Sequence, residues 1–370
     1  MNKKNVIIVM IDGGRHDRAE YSVFRNLKSK SLYFKNSITY GPHTIASMHA
    51  VFSGSYGSRT GTNSYWSTYK FKKNQFKTLT EYLKSNDYYT HADVINQLVV
   101  PKQGFDQFII HDEQYDDLTE RHKILLDKMS LKNKENKNFF LYLHYSKIHT
   151  GIMNEVLKIY DNFSESFFSN HKKNIERYDK LFEDAQLYLG SILEKIYQLK
   201  LDKDSLILIM SDHGISTGEK IGERAYGAFC YDYTLKTLTY FLIPNYEPTI
   251  IEQQVRTVDF MPTILDYLDI TLDSQYQNLD GVSLLPLATG TKYPELTAFS
   301  ETGNPLHEKE PPKEPNVKAI RTSEWKLIFN KYDSSKELYN LKLDPEEQNN
   351  LIGTNQHIEK KLWDNLQKFL

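Results

Sequence analysis

Two polar stretches follow directly on apolar runs in this chain, and both carry groups able to hold a cation or move a proton. Ser211-Asp212-His213-Gly214 comes straight after Leu206-Ile207-Leu208-Ile209-Met210, which sets a carboxylate beside an imidazole. Both are ligands for zinc or manganese, and the carboxylate also suits calcium or magnesium. Asp12 ends the run Val6 to Ile11 in the same way. Each stretch has a plainer reading, since Asp before Gly is also ordinary turn chemistry. A third cluster, His144, Lys147 and His149, closes the apolar run Phe139 to Tyr145.

The runs that precede these clusters read as strands, and the segments between them as crossover helices. The clearest helix has apolar residues three or four apart from Ile175 through Tyr178, Leu181, Ala185, Leu189, Ile192 and Ile196 to Leu199, and it leads through Asp202-Lys203-Asp204 into the run before Asp212. Alternation of this kind predicts an α/β fold with a mostly parallel sheet flanked by helices. In such sheets ligands bind beyond the carboxyl ends of strands, where all three clusters stand. Near residue 295 the pattern changes. A Pro-rich charged loop, His307 to Pro315, precedes three alternating segments, Val317 to Arg321, Trp325 to Phe329 and Glu337 to Leu341; a helix from about Gln356 to Leu370 follows. We expect residues 1–295 to form the catalytic domain and 296–370 a subdomain with a small antiparallel sheet plus a helix. Lys132 to Asn138 reads as a solvated loop.

A net charge of -2 gives no electrostatic reason to expect nucleic acid as a partner, and the 39% hydrophobic and 25% charged residues are those of a folded globular chain. No stretch reaches the roughly 20 apolar residues of a membrane span, and the first strand is too short for the core of a signal peptide, so a cytoplasmic location is expected. The single cysteine, Cys230, excludes an internal disulfide framework and fits a reducing compartment. Nothing in the sequence sets an oligomeric state.

Taken together, the motifs resemble the alkaline phosphatase and sulfatase superfamily. Ser211 to Gly214 is similar to its metal-binding signature, and Val6 to Arg15 (VIIVMIDGGR) to its first strand with a metal-binding Asp. Thr44 to Gly61 (TIASMHAVFSGSYGSRTG) resembles the sulfatase nucleophile region, in which Cys-x-Pro-Ser-Arg leads into a helix and a Gly-Tyr-x-x-Arg-x-Gly stretch. Val255 to Tyr267, Asp280 to Gly290 and Ala319 to Asn349 resemble further segments in family order. The resemblance thus covers nearly the whole chain and implies the alkaline-phosphatase-like fold.

The departures are specific. Thr44 stands where sulfatases keep the Cys or Ser that becomes formylglycine, Ala46 and Met48 replace the Pro and Arg that follow, and Gly13 replaces a second Asp. The family's Gly-Lys-Trp-His segment falls near Val94 to Leu98, which has neither Lys nor His, and its later sulfate-binding Lys falls on Gly227. What remains, Asp12, Thr44, Asp212 and His213, resembles the single-metal site of the lipoteichoic acid synthases and phosphoethanolamine transferases, which use a threonine nucleophile and often a Glu at the position of Asp12. The resemblance implies one divalent ion (Mn, Zn, Ca or Mg) on these four residues. It implies Thr44 as nucleophile, activated by the ion, and His149 as the strand-end histidine that contacts the ester or the leaving group. Thr44 otherwise reads as the N-cap of the following helix. Arg15 is assigned to the surface or to a substrate phosphate, Lys147 to the substrate, and His144 and His49 to packing. The expected activity is hydrolysis or transfer of phosphate mono- or diesters, with a small-molecule, polyol or glycan substrate; sulfate-ester hydrolysis without formylglycine is the alternative, and a non-catalytic binding protein the third.

Overall fold

The apolar run that opens the chain forms a strand because it is buried on both faces, as a central parallel strand must be. The computed structural model describes residues 4–156, 165–223, 227–291, 294–306 and 312–370. In chain order the strands are Asn5–Ile11 (β1), Leu32–Phe34 (β2), Ser37–Ile38 (β3), Tyr89–Val94 (β4), Gln107–Ile110 (β5), Phe139–Tyr145 (β6), Ser205–Ser211 (β7), Lys236–Thr237 (β8), Thr239–Leu242 (β9), Thr249–Ile251 (β10), Val255–Arg256 (β11), Ala298–Thr302 (β12), Val317–Arg321 (β13), Trp325–Asn330 (β14) and Ser335–Asn340 (β15). Eight of them form the main sheet in the order β10-β2-β9-β7-β1-β6-β4-β5. It is mostly parallel, with β9 antiparallel to both of its neighbours.

The register of the three central strands decides where the chemistry lies. Ile11 is paired with Tyr145 of β6 and with Ser211 of β7, so Asp12, Ser146 and Asp212 are the next residues at the same level. Side chains alternate along a strand, and the two apolar layers show it. Ile7, Val9 and Ile11 face one layer, with the long helix His171–Gln198; Val6, Ile8 and Met10 face the other, with Met48, Val51 and Phe52 of the helix Thr44–Ser53. Asp12 continues the second row, Asp212 continues Leu206, Leu208 and Met210, and His144 continues Phe140 and Tyr142. All three therefore point toward the helix that begins at Thr44.

The C-terminal antiparallel sheet runs β12-β13-β14-β15 and so has one strand more than its sequence pattern suggests. The polar alternation of Ala298 to Thr302 hid β12. Its Glu301 is nonetheless buried, since it takes the Tyr40 hydroxyl and the Lys318 ammonium, the latter at 2.5 Å. The closing helix ends at Leu366, followed by a short 3-10 turn. Lys132 to Lys134 continue the helix Leu118–Lys134 rather than opening a loop, and the chain turns at Asn136, with φ of 61°. Of the charged loop His307 to Pro315, residues 307–311 lie outside the described residues.

Candidate active site

Asp12, Asp212 and His213 come from two adjacent strand ends, are all buried, and bring one ligand atom each to within 4.8 Å of one another. In each residue one atom is held and the other is left facing the centre. Asp212 Oδ1 accepts the amides of Gly13 (3.1 Å) and His213 (2.9 Å), while Oδ2 has no hydrogen-bond partner. Asp12 Oδ2 accepts His144 Nε2 at 2.9 Å, while Oδ1 has His149 Nδ1 nearby, at 3.4 Å. His213 Nδ1 donates to the Gly214 carbonyl at 2.7 Å, which fixes the tautomer that leaves a lone pair on Nε2. A buried carboxylate oxygen without a donor is costly unless something positive sits beside it. The donor set and its spread suit one divalent cation, with ligand bonds of roughly 2.0–2.6 Å.

Thr44 is placed against this centre. Its Oγ1 lies 3.3 Å from Asp12 Oδ2 and 3.4 Å from His213 Nε2. It is not the helix cap. His43 takes that position, its ring nitrogen accepting the Ala46 amide at 3.4 Å, and Thr44 is the first helical residue. The hydroxyl is thus available at a helix N-terminus, where the backbone favours an anion. Ser47, one turn on, donates to the Asp212 carbonyl at 2.8 Å and fastens the helix to β7.

Two histidines flank Asp12. His149 Nδ1 is 3.4 Å from Oδ1, with 15% of its side chain exposed, the most open of these groups. Burial works against its charged form, but the Asp12 carboxylate, helped by Asp212 and Glu113, raises its pKa. Burial likewise opposes ionisation of Asp12, yet His149 and His144 hold it well below the usual carboxylate range; Asp212 is raised, by burial and by the charge of Asp12. His144 has a role beyond the packing that the sequence suggested. It is buried, as expected of a core position, but it serves Asp12; its matching parity with Asp12 across the paired strands was the available signal. His49 is buried and bonded to the Leu98 carbonyl at 3.1 Å, a packing role.

Arg15 is buried rather than at the surface. Its guanidinium is engaged by Asp17, Glu219 and the Ile215 carbonyl, and it lines a cavity of about 380 Å³ with Arg18, Asp232 and Lys236. Lys147 donates to the Glu113 carbonyl at 2.7 Å, beside a different cavity. Gly227 has φ of 70°, and a side chain there would meet the Pro42 carbonyl at 2.8 Å, so a lysine would displace the segment before Thr44. Cys230 is buried, and burial pushes its thiol up.

A second buried group supports His149 from behind. Asp93 accepts His111 (2.6 Å), His122 (3.3 Å) and Arg121 (2.6 Å); the far nitrogen of His111 meets Ser146 Oγ at 3.1 Å and that of His122 the Tyr188 hydroxyl at 2.6 Å. All its hydrogen bonds are made internally, so it reads as an anchor. Ser146 precedes the helix Lys147–Val156, whose first turn carries His149, and its carbonyl accepts the Thr150 amide at 2.9 Å.

Comparison with known proteins agrees with this architecture. The chain matches the Sulfatase family over residues 4–270 and the "N-sulphoglucosamine sulphohydrolase, C-terminal" family over residues 227–370. It is 26% identical over 198 residues to the choline-sulfatase of Rhizobium meliloti (strain 1021), an alignment covering 52% of this chain and 35% of that one. It is 29% identical over 204 residues to human arylsulfatase K, covering 51% and 36%. These alignments span about a third of the curated relatives' length. Among solved structures, a 2-O GAG sulfatase superimposes with a TM-score of 0.76 at 16% identity (99% of this chain, 92% of that one). The phosphonate monoester hydrolase of Silicibacter pomeroyi does so with 0.71 at 15% (99% and 94%). With the fold, the strand-end cluster of Asp12, Asp212 and His213 and a family match over most of its length in agreement, the chain belongs to the sulfatase family, within the alkaline phosphatase and sulfatase superfamily.

Proposed function

We propose that the chain is a metal-dependent hydrolase or transferase of phosphate mono- or diesters, with Thr44 as its nucleophile and a polyol or glycan as the alcohol portion of its substrate. The observation that carries this reading is the position of Thr44 Oγ1, 3.3 Å from Asp12 Oδ2 and 3.4 Å from His213 Nε2, within a cluster of buried groups able to hold a cation. Asp12, Asp212, His213 and Thr44 would hold one divalent cation. When bound, it favours the alkoxide of a hydroxyl that is otherwise a weak nucleophile and offsets charge on the phosphoryl oxygens.

The chain's own groups supply the rest. Thr44 attacks phosphorus from the helix N-terminus, and the ester is carried as phosphothreonine. His149, beside Asp12 and the most open of these groups, is placed to give a proton to the departing alcohol oxygen. His144 keeps Asp12 oriented, and the Asp212 carboxylate is set by two amides. Water or an acceptor hydroxyl then releases the phosphoryl group.

Sulfate-ester hydrolysis is the second reading, favoured by the curated relatives, which include a choline-sulfatase, arylsulfatases and an N-acetylglucosamine-6-O-sulfatase. Against it stand Thr44 in place of a formylglycine precursor and Gly227, where a side chain would displace the segment before Thr44. The deciding experiment is a parallel assay of aryl phosphate, phosphodiester, phosphonate and sulfate esters with each metal. We expect phosphate esters to be turned over at least about tenfold faster than sulfates; equal or faster sulfate turnover reverses the ranking.

A further inference from the structure

We infer that the short 3-10 helix Tyr65–Lys70 is a stacking subsite for a pyranose ring in the alcohol portion of the substrate; this rests on Thr44 marking the reaction centre. The Tyr65 ring stacks on His43 with centroids 4.7 Å apart and planes at 24°. His43 is buried and caps the helix that starts at Thr44, so Tyr65 stands one ring away from the residue next to the nucleophile. Tyr65, Trp66 and Tyr69 are 42%, 48% and 82% exposed. In a 3-10 helix residues three apart eclipse, which puts Trp66 and Tyr69 in one row. Three large aromatic side chains open to solvent within five positions are more than scattered surface apolarity, and the first of them stacks on the residue before Thr44.

The element is held firmly. Ser64 and Ser67 form a capping box at its start, and Ser64 Oγ donates to the Lys313 carbonyl at 3.0 Å. Glu314 then reaches both ends of the helix, 3.4 Å from Asn63 Nδ2 and 3.6 Å from Lys70 Nζ. An amide, a carboxylate and an ammonium therefore rim an aromatic surface. A pyranose ring needs that combination, because its C–H face packs on an aromatic ring while its edge hydroxyls need donors and acceptors. An acyl chain would gain nothing from the three polar groups, and a flat aryl alcohol would leave them unused.

The test is saturation-transfer difference NMR on the full chain with the 6-phosphates of glucose, galactose and N-acetylglucosamine, run with wild type and with Thr44→Ala so that turnover does not enter. The reading requires saturation of the pyranose ring protons in both proteins, at least a fivefold loss in Tyr65→Ala and in Trp66→Ala, and retention in Tyr65→Phe. Circular dichroism establishes that each variant is folded, and Trp66→Ala, at an exposed position, stands in if Tyr65→Ala unfolds. Absence of ring saturation in wild type with all three esters, or equal saturation in wild type and the alanine variants, overturns the subsite. If Thr44 is not the nucleophile, Thr44→Ala keeps its turnover, a result that leaves these binding signals unchanged and so separates the two failures.

Discussion

Thr44→Ala separates a catalytic hydroxyl from a structural one, because the two roles differ greatly in size. The change removes one methyl and one hydroxyl from a residue that is 6% exposed, whose Oγ1 makes two contacts longer than 3.2 Å and caps nothing. The lost hydrogen bonds are worth about 1 kcal/mol at most, and alanine is the better helix former at that position, so net stability should change by under about 1 kcal/mol. Loss of a nucleophile that acts with its site costs on the order of 10⁴-fold or more in kcat, which at 1.36 kcal/mol per tenfold is about 5 kcal/mol. Thr44→Ser keeps the hydroxyl and loses only the methyl that restricts χ1, so it should retain activity within about a hundredfold. The assay is phosphodiester turnover at saturating metal, alongside thermal unfolding with and without chelator. Metal binding to the folded state alone raises the midpoint, and with Asp12, Asp212 and His213 intact Thr44→Ala should still lose stability on chelation. A folded Thr44→Ala protein within tenfold of wild-type turnover would refute the nucleophile and assign the chemistry to a metal-bound water.

Other substitutions address the remaining parts of the site and its frame. Asp212→Asn keeps the two amide contacts to one oxygen but removes the charge; purified protein should fall from about one bound divalent ion per chain to well under half, read by elemental mass spectrometry, and unchanged content would remove Asp212 from the ligand set. His144→Ala deletes the donor that orients Asp12 and should lower kcat/KM by about 10–100-fold with the fold intact; a smaller effect would make His144 a packing residue after all. Lys326, fully buried against Asp232 (2.5 Å) and Glu347 (2.6 Å), should cost about 3–5 kcal/mol on change to Met, measured by denaturant unfolding, because buried Glu347 loses its ion-pair partner while Asp232 keeps only Arg321; a cost under about 1 kcal/mol would show that Glu347 does not need this cation.

The clustering of Asp12, Asp212 and His213 was legible in the sequence because strand ends are local signals. Asp12 and Asp212 follow apolar runs directly, and the paired register then sets them at one level without further information. What the sequence did not reveal depends on distant partners. The role of His144 needed the pairing of β1 with β6, and that of Arg15 needed Glu219 and Ile215, some two hundred positions away. The strand β12 was hidden because burial of Glu301 is compensated only by Tyr40 and Lys318 from other segments. The reading of Thr44 as a helix cap failed by a single residue, a scale at which helix ends are not resolved by pattern alone.

The order of strands in the main sheet has a consequence for how the chain is made. β1 lies between β6 and β7, whose first residues, Phe139 and Ser205, are synthesised 134 and 200 positions after Asn5. At about 5–20 residues per second, the apolar strand that will carry Asp12 waits roughly 7–27 s for its first neighbour. During that time both of its edges are unpaired and the face that will meet the helix His171–Gln198 lacks it, while only the helix Thr44–Ser53 is available to cover the other face. Ribosome-associated holdases, or early non-native cover from the helices that come between, would protect those edges until β6 emerges. Slowing translation before β6 should lower the soluble fraction, whereas slowing it after β7 should have little effect.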